Sequence, residues 1–553
     1  MEKNTNSLHR RIILNPVTLL FSGALLGFST AFPFMFLVSF LALIPFFFLI
    51  EASRSMKEVG KDSFLFGLGF FGAVYFWFWG VYPLDWIGVQ NDTYSFGIIM
   101  FAWVVTAVVL SVTMVGRALF MHFLKSSEKE NGVLIVPIVW ILFEYVGAVT
   151  FSLLWAGPQS TVGAHWTFGF LGYALAEIPI ARSLAAIGGV YLLSFTLVFI
   201  VSVIYFVSKR MLSFKKINSV SLVVVAAVLL IGSISGYGVA IRANTGVIKE
   251  VLLVHTAFPS ASNQLTSNQK EERSSEIIAT VTNAIRSGAK PDILIFPESS
   301  EVLNSVSPAA AQSFLETLAQ EKNTLVLNPT NDSNARGELI SSIWYARAQE
   351  GVTEVRHKSF LVPVGEYAPY IGIFFSNVLH KTEWFERIYA VHGYYKVRDD
   401  EDAFRASDVG ILQCSESISP YLYRDLAKTH AILANAASHA AFRHSALIRD
   451  QILKMERIHA VANDRFFIQS GNVAPSLIIT NTGALRSFLN NDETDVLIGE
   501  VKTRTTLTPY VRWGEWFLLL SCALLIIVFF QTVRDSIVRR NILKKSESRE
   551  MVL

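Results

Sequence analysis

Long apolar segments recur through the first half of this chain, and they constrain its fold more than any other feature. Each is close to the roughly 20 residues that an α-helix needs to cross a bilayer. Of the 553 residues, 52% are hydrophobic and only 16% are charged, whereas a soluble protein normally carries about a quarter charged residues. We therefore predict membrane-spanning helices at about 12–31, 33–50, 63–83, 95–116, 133–155, 183–207 and 217–241, with an eighth at about 515–533.

Lysine and arginine predict the orientation of these helices, because both are enriched in loops on the cytoplasmic side of a membrane. The N-terminal tail is basic, as are the loops after the second, fourth and sixth apolar segments and the tail after the last one. The alternate loops, at about 81–94 and 157–180, contain no lysine or arginine. Eight spans with both termini in the cytoplasm satisfy this pattern and put the long stretch after the seventh span outside.

The expected organisation has four parts, which are a seven-helix transmembrane domain at 1–243, an extracytoplasmic domain at 244–510, an eighth transmembrane helix at 511–533 and a basic cytoplasmic tail at 534–553. In the outer domain, short β-rich runs alternate with helical stretches, which indicates an α/β domain on a largely buried sheet. The runs predict strands at 251–255, 292–296, 324–327, 409–413, 431–435, 466–470 and 476–480. The linkers to the flanking spans are short, so this domain must sit directly on the membrane helices. The net charge of +3 is too small to imply a nucleic-acid partner.

Three side chains of the outer domain could carry chemistry: Glu298, Lys358 and Cys414, each expected at the end of an apolar run. A thiolate is a nucleophile, a carboxylate can take its proton, and an ammonium can stabilise an oxyanion. Each residue also has a simpler explanation. Cys414 could be a small apolar side chain at a strand end, Glu298 a helix N-cap and Lys358 a solvated charge. The other cysteine, Cys522, lies in the last apolar segment, so neither a disulfide nor a cysteine metal site is expected.

One carboxylate occurs in or near the fifth apolar segment. This is Glu144, which lies one helical turn after Trp140. An ionisable residue inside a membrane is by default a functional candidate. The alternative, which we favour, is that Glu144 lies near a helix end and is solvated or hydrogen-bonded.

The order and flanking residues of Glu298, Lys358 and Cys414 resemble the Glu-Lys-Cys triad of the nitrilase superfamily. KSFLVPVGEYAP at 358–369 is especially similar, and membrane motifs are matched by FGLGFFGAVYFW at 66–77, VWILFEY at 139–145 and GYALAEIPIARSLAAIGGVYLLSF at 172–195. Together with the eight predicted spans, the chain resembles the apolipoprotein N-acyltransferase family, a membrane-embedded branch of that superfamily, over nearly its whole length.

This resemblance implies an αββα sandwich for the outer domain and a two-step acyl transfer. Cys414 would take an acyl chain from a phospholipid as a thioester, and the α-amine of the diacylglyceryl-cysteine at a lipoprotein's N-terminus would then receive it. Glu298 would be the general base and Lys358 the oxyanion partner, with Glu366 and Glu416 as supporting residues. The resemblance also implies a bacterial inner membrane protein with its catalytic domain on the periplasmic side, and no metal or organic cofactor.

Several positions depart from the family pattern. Ser415 stands where an aromatic residue is usual, and NAASHAAFRHS at 435–445 keeps Asn435 but lacks the usual tryptophan. We expect Ser415 and Asn435 to contact substrate, together with Trp384 and Phe385. The last two belong to an aromatic-rich segment at 371–398, which is either a mobile gate for lipid or ordinary packing. His439 and His444 are expected to line the pocket or the surface.

These departures keep two other functions open. One is a membrane-anchored thiol amidase, or an acyltransferase with a different amine acceptor. The other is a non-catalytic scaffold that has kept the fold, although the intact Glu298, Lys358 and Cys414 speak against it.

Overall fold

Six helices in the described part of the chain are long and apolar enough to cross a membrane. The computed structural model describes residues 14–53, 55–124, 132–212, 246–260, 265–298, 300–320, 322–333, 336–394 and 408–550. The six helices span Pro33–Ala52, Met56–Val81, Asp92–Phe123, Gly132–Leu154, Ala185–Lys209 and Trp516–Arg534. The predicted span at 217–241 lies outside the described residues, so the total of eight spans stays a prediction.

The first predicted span, at 12–31, is shorter than expected. The helix α1, Pro16–Ser29, has 14 residues. The second span begins with a 3-10 turn and is divided into two helices, which are α2 (Phe36–Ala42) and α3 (Ile44–Ala52). The two are separate because Pro45 has no backbone N–H to donate within a continuous helix.

The remaining helices of the membrane half are α4 (Met56–Val74), α5 (Asp92–Phe123), α6 (Gly132–Leu154), α7 (Pro179–Arg182) and α8 (Ala185–Leu212). The backbones of α1 and α4 approach each other closely at two glycines. A Cβ on Gly23 would lie 2.1 Å from the carbonyl oxygen of Phe66, and a Cβ on Gly69 would lie 2.0 Å from that of Leu20. Small residues at such contacts are how membrane helices gain close packing.

The outer domain contains eleven strands within its described residues. They are β1 (Ile248–Thr256), β2 (Ile293–Ile295), β3 (Leu325–Ser333), β4 (Leu339–Arg347), β5 (Gly351–His357), β6 (Val409–Gln413), β7 (Ile432–Ser438), β8 (Phe466–Asn472), β9 (Ser476–Ile479), β10 (Leu485–Leu489) and β11 (Asp495–Lys502). Neighbouring strands are parallel in the order β6-β7-β8-β1-β2-β3, and β4 and β5 continue the sheet in antiparallel fashion. The C-terminal ends of six strands therefore meet at one edge.

The sheet curls so that β4 and β5 lie over β6. The Tyr345 hydroxyl donates to the carbonyl oxygen of Val409 at 3.5 Å, and Gln413 Nε2 donates to that of Ser342 at 2.7 Å. Buried aliphatic side chains fill the space between the two halves. The helices that follow in the chain are α9 (Ser267–Arg286), α10 (Val302–Ser305), α11 (Pro308–Leu318), α12 (Tyr370–Val378), α13 (Thr382–His392), α14 (Pro420–Ala427), α15 (Ala446–Asn463), α16 (Pro509–Trp513) and α17 (Trp516–Glu550).

Helices cover both outer faces of this curled sheet. One face packs against α9, α10 and α11, and the other against α14 and α15. This layering confirms the expected αββα sandwich. The apolar runs predicted seven of the strands, but β4, β5, β10 and β11 were not predicted. The expectation that Lys358 ends an apolar run was also wrong, because it follows β5, a strand of mixed polar and apolar residues that are mostly exposed or half-buried.

The outer domain sits directly on the membrane helices, as its short linkers predicted. Apolar residues of α15 belong to the same buried cluster as residues of α1, α4, α6 and α8. Lys454 of α15 donates to the carbonyl oxygens of Ser29 and Phe32, at 3.2 and 3.1 Å, where α1 ends. Because the cluster is continuous, the sheet edge described above is held at a fixed level relative to the membrane helices.

Candidate active site

Cys414 stands at the C-terminal end of β6, where the chain leaves the sheet in a sharp turn. β6 is fully buried, and a 3-10 turn, Cys414–Ile418, follows it at once. The φ angle of Cys414 is 44°, a left-handed conformation that costs a residue other than glycine about 1–3 kcal/mol. The side chain is half-buried, and its Sγ donates to the carbonyl oxygen of Ser438 at 3.5 Å. This geometry presents one thiol at the edge of the sheet, as nucleophile turns do.

Lys358 joins two carboxylates at the same edge. Its Nζ lies 3.0 Å from Glu298 Oε1 and 2.6 Å from Glu366 Oε1, and its side chain is fully buried. The second oxygen of Glu366 accepts the backbone N–H of Val362 at 2.8 Å, which holds that carboxylate in place. Glu298 follows β2 and Lys358 follows β5, so the curl of the sheet is what brings them together. The charges of all three act on the nearby Cys414 thiol.

Glu416 connects the nucleophile turn to the segment that carries Lys358. It is completely buried. One carboxylate oxygen accepts the backbone N–H of Ser359 at 3.0 Å, and the other accepts that of Gln413 at 3.0 Å. Arg356 donates to both oxygens, at 3.2 and 3.5 Å. Glu416 therefore neutralises a buried guanidinium and fixes the relative positions of two catalytic candidates.

The electrostatics of the cluster favour a neutral thiol beside a charged amine. Burial raises the pKa of Cys414 well above its usual range, the negative charge of Glu298 adds to this, and Lys358 opposes it. Burial disfavours the charge on Lys358, but Glu298 and Glu366 more than offset it, so the pKa of Lys358 lies well above its usual range. Burial also raises the pKa of Glu366, against the opposing effect of Lys358. A thiol held neutral in this way needs a base when it attacks, and a carboxylate is at hand.

Two family models match this chain. Residues 22–204 match the model described as apolipoprotein N-acyltransferase N-terminal domain, and residues 260–510 match the model described as carbon-nitrogen hydrolase. Among the relatives, the apolipoprotein N-acyltransferase of Rickettsia prowazekii (strain Madrid E) is 24% identical over 515 residues, which cover 90% of this chain and 93% of the relative. That of Nostoc sp. (strain PCC 7120 / SAG 25.82 / UTEX 2576) is 23% identical over 497 residues, which cover 87% and 92%.

The chain belongs to the apolipoprotein N-acyltransferase family. Among solved structures, the outer domain is similar to a carbon-nitrogen hydrolase from Helicobacter pylori G27, with 14% identity and a TM-score of 0.34, over 49% of this chain and 94% of that one. The two family models and the aligned relatives cover the membrane half and the thiol-bearing domain together, as expected for a membrane-embedded member of this superfamily.

Of the four residues expected to contact substrate in this N-acyltransferase fold, two are engaged by the protein itself. The Ser415 hydroxyl donates to the carbonyl oxygen of Phe360 at 3.0 Å. Asn435 is buried within the sheet and donates to Gln469 Oε1 at 2.6 Å. The structure brings neither side chain to the thiol as a free donor, because each satisfies a neighbour instead.

Trp384 and Phe385, the other two, lie on α13 in the aromatic-rich segment. Neither is buried in the domain core, since Trp384 is 36% exposed and Phe385 is half-buried. The preceding helix, α12, exposes several apolar side chains and touches the membrane half, where the rings of Phe101 and Phe375 lie 4.9 Å apart. The gate hypothesis for this segment therefore stays a prediction, and its end beyond Tyr394 includes residues outside the described part.

The loop between α6 and α7 supports the nucleophile turn of this family member, and nothing in its sequence had indicated that role. The Thr167 hydroxyl donates to the carbonyl oxygen of Ile418 at 3.2 Å, and His165 Nδ1 lies 2.7 Å from the Ser419 hydroxyl. Thr161 donates to the carbonyl oxygen of Ser359. The membrane half thus reaches both chain segments that carry catalytic candidates.

Glu144 fastens the same loop to the membrane helices. It is buried, and its Oε1 accepts the Trp140 indole N–H at 3.1 Å and the backbone N–H of Leu171 at 2.8 Å. The guanidinium carbon of Arg117 lies 3.9 Å from the centre of the Trp140 ring. Glu144 is therefore hydrogen-bonded, as we favoured, although it lies in the middle of α6 and not near a helix end as expected. One of its partners is a loop that packs on the nucleophile turn.

Proposed function

We propose that this protein transfers an acyl chain from a phospholipid to the α-amine of the N-terminal diacylglyceryl-cysteine of a lipoprotein, through a thioester on Cys414. The observation that carries the proposal is the buried contact of Lys358 with Glu298 and Glu366, beside a thiol presented at a sheet edge that rests on membrane helices. Relatives named apolipoprotein N-acyltransferase, aligned over most of this chain, support the same reaction.

In the first step, the Cys414 thiol attacks the ester carbonyl carbon of the phospholipid. Glu298 takes the thiol proton, and the negative charge that develops on the carbonyl oxygen is stabilised by the Lys358 ammonium. The ester C–O bond then breaks. Glu298 returns its proton to the departing alkoxide, so a lysophospholipid leaves and the acyl group stays on sulfur.

In the second step, the lipoprotein amine attacks the thioester carbonyl carbon. Glu298 takes a proton from the amine, Lys358 again faces the developing oxyanion, and the C–S bond breaks as the thiolate regains a proton. Glu366 keeps Lys358 in position throughout, because it holds the same Nζ that faces the oxyanion. Glu416 holds the nucleophile turn in a fixed position relative to the segment that carries Lys358.

The protein is a multi-pass membrane protein, since several of its helices are apolar and long enough to span a bilayer. The further placement that we propose is the bacterial inner membrane, with the outer domain on the periplasmic side and both termini in the cytoplasm. Both substrates are lipid-anchored, so a thiol close to the bilayer surface suits them.

The thioester is tested by intact-protein mass spectrometry after incubation with phospholipid. We expect the native chain to gain one acyl-sized mass that hydroxylamine removes. Cys414→Ala should gain none, and Cys522→Ala, which changes the other cysteine in the sequence, should gain it like the native chain. An adduct that survives in Cys414→Ala, or none in any of the proteins, would count against the proposal.

The acceptor is tested with the acylated protein. A diacylated lipopeptide with a free N-terminal amine should take the acyl group from Cys414. The mass of the protein should then return to the value it had before acylation. The same lipopeptide with an acetylated N-terminus is the matched control and should leave the thioester intact. If water or ammonia discharged the thioester as fast as the free amine, an amidase activity would be supported instead.

A further inference from the structure

A pocket of basic and polar side chains lies beside the thiol, at the ends of β7 and β8. It is lined by His439, His444, Ser445 and Arg449, with Phe442 on the same loop. Cys414 Sγ contacts the carbonyl oxygen of Ser438, and His439 is the next residue. Adjacent strands are about 4.8 Å apart, so the pocket begins one strand away from the nucleophile.

The N-terminus of α15 opens at this pocket. Ser445 is its N-cap residue, but the Ser445 side chain makes no capping hydrogen bond. Within the described residues, the backbone N–H groups of the first three residues of the helix make no hydrogen bond either, and the first one made is from Arg449 to Ser445. Such open N–H groups, at the positive end of the helix dipole, attract anions.

His439 is a second, independent feature that suits a ligand at this pocket. Its side chain is only 6% exposed, and across the described ranges no residue forms a hydrogen bond with its ring nitrogens. Buried polar groups are hydrogen-bonded as a rule. Burial, helped by the positive charge of Arg449, lowers the pKa of His439 to about 4, so the ring is neutral at pH 7 and can donate one N–H to a ligand.

Arg449 gives the pocket its fixed positive charge. Its Nε donates to Asp450 at 2.9 Å, and this contact uses one of the five donors of the guanidinium. His444 lies at the rim, 3.9 Å from an exposed Asp492. A guanidinium with further donors suits a phosphate group, because it can form two parallel charge-assisted hydrogen bonds.

The pocket lies beside the C-terminal end of the apolar helix Met56–Val81, where that helix would leave a bilayer. Ser445 faces Gly80, and the ring of Phe442 lies 5.5 Å from that of Trp77, in the segment where the chain leaves α4. Arg443 donates to the carbonyl oxygen of Pro83 and to Asp85 in the same outer loop. Phosphate groups of lipids occupy this level, and in a glycerophospholipid only the short glycerol unit separates the phosphate from the ester carbons.

We propose that this pocket binds the phosphate group of the acyl donor, with Arg449, His439 and the N-terminal N–H groups of α15 as its hydrogen-bond donors. This inference rests on the proposed function, since it names the part of the lipid that positions the ester at Cys414. The same donors could in principle hold free phosphate, so the test separates the two sources.

Binding to a Cys414→Ala background, which holds the donor without reacting, is measured by titration calorimetry in detergent. The probes are a short-chain phosphatidylglycerol, a diacylglycerol of equal chain length that lacks the phosphate, and inorganic phosphate. Adding Arg449→Gln should weaken phosphatidylglycerol binding about tenfold or more, since hydrogen bonds to charged groups are strong, and leave diacylglycerol binding unchanged. Arg486→Gln, at an exposed arginine on β10, is the control and should change neither.

Ser445→Asp is a second variant that separates binding from folding. Aspartate is a good N-cap residue and a favourable charge at a helix N-terminus, so the variant should melt at or above the temperature of the starting protein. Its negative charge should nevertheless weaken phosphatidylglycerol binding at least as much as Arg449→Gln does.

Three results with Arg449→Gln would overturn the inference. They are equal losses of affinity for phosphatidylglycerol and diacylglycerol, no loss of affinity for either lipid, or a loss of affinity for inorganic phosphate alone. A protein that forms the Cys414 thioester but binds phospholipid independently of Arg449 would refute this site and leave the proposed function standing. A protein whose phospholipid binding depends on Arg449 but that forms no thioester would refute the proposed function and leave this site standing.

Discussion

Glu416 accepts the backbone N–H of Ser359 at 3.0 Å, and through this contact the turn that carries the nucleophile is fixed to the segment that carries Lys358. Its second oxygen accepts the N–H of Gln413, the residue before the thiol. Arg356 donates to both oxygens. One buried carboxylate therefore determines how far the oxyanion partner lies from the nucleophile.

Glu416→Gln should damage both stability and acylation. The amide offers one acceptor oxygen where two are needed, and it removes the negative charge of Glu416 from beside the buried Arg356. Removing one partner of a buried ion pair costs about 3–5 kcal/mol. We expect a clearly lower melting temperature and an acylation rate at least about tenfold lower, since catalytic geometry is sensitive to small displacements. Thermal unfolding and intact-protein mass spectrometry measure the two effects.

The matched control for this substitution is Glu500→Gln. Glu500 lies 3.8 Å from Arg486, and both side chains are largely exposed, so the change should cost less than about 1 kcal/mol. If Glu416→Gln behaved like Glu500→Gln in both measurements, the role of Glu416 in joining the nucleophile turn to the Lys358 segment would be refuted.

The rate at which iodoacetamide alkylates Cys414 should rise with pH. Substituting two neighbouring residues should shift this pH profile in opposite directions. Burial and then Glu298 raise the pKa of this thiol, while Lys358 lowers it. In a Cys522→Ala background, the alkylation rate should still be rising above pH ~8.5, where an ordinary thiol has passed its midpoint. Glu298→Gln should move the profile to lower pH, and Lys358→Met should move it to higher pH.

Both substitutions should nevertheless suppress acyl transfer, because they remove the base and the oxyanion partner. Loss of one oxyanion donor typically costs about 10²–10³ in rate, which is the fall expected for Lys358→Met. A Glu298→Gln protein that alkylates more slowly than the native chain at pH 8 would contradict this account of the thiol.

The sequence predicted most of the strands whose residues are buried consecutively. It missed β4, whose buried run contains the polar pair Ser341 and Ser342. β6 and β7 are buried along nearly their full length and stand out as short apolar runs. β5 and β10 have mostly exposed or half-buried side chains and mix polar with apolar residues, so neither stands out as an apolar run. Lys358 was singled out as the end of an apolar run, which is not where it lies, and its resemblance to a family motif is what supports the choice, since no property of β5 marks it.

Contacts between the two halves could not be predicted from local patterns. Thr167 and Ile418 are far apart in the chain, and they meet only because the outer domain docks on the membrane helices. Arg356 was missed because an arginine in a stretch of mixed polar and apolar residues is normally solvated, whereas the curl of the sheet buries it against Glu416. The first span was predicted too long mainly because apolar residues at 12–14 precede Pro16, where α1 begins.

Lys454 should make stability depend on pH in alkaline solution. Burial lowers the pKa of this ammonium to about 8 in the folded protein, whereas an unfolded lysine titrates near ~10.4. Between these values the unfolded chain binds more protons than the folded one, so the free energy of unfolding gains a contribution that rises with pH. Lys454→Met should flatten that rise, measured as melting temperature from pH 7.5 to 10, and exposed Lys428→Met should not.

Gly23→Ala should loosen the junction of the two halves, although it lies far from the thiol in sequence. A Cβ at Gly23 would lie 2.1 Å from the Phe66 carbonyl oxygen, so α1 must move away from α4, and overpacking of this kind costs about 1–3 kcal/mol. Gly97→Ala on α5 is the matched control. A Cβ there meets no atom within 4 Å, so alanine should stabilise that helix by up to about 1 kcal/mol.

The two substitutions should therefore shift the melting temperature in detergent in opposite directions. Gly23→Ala should also slow acylation of Cys414, because the end of α1 accepts the hydrogen bonds of Lys454 and so holds α15 and the domain above it. A Gly23→Ala protein as stable and as active as Gly97→Ala would mean that the close contact of α1 with α4 does not support the outer domain.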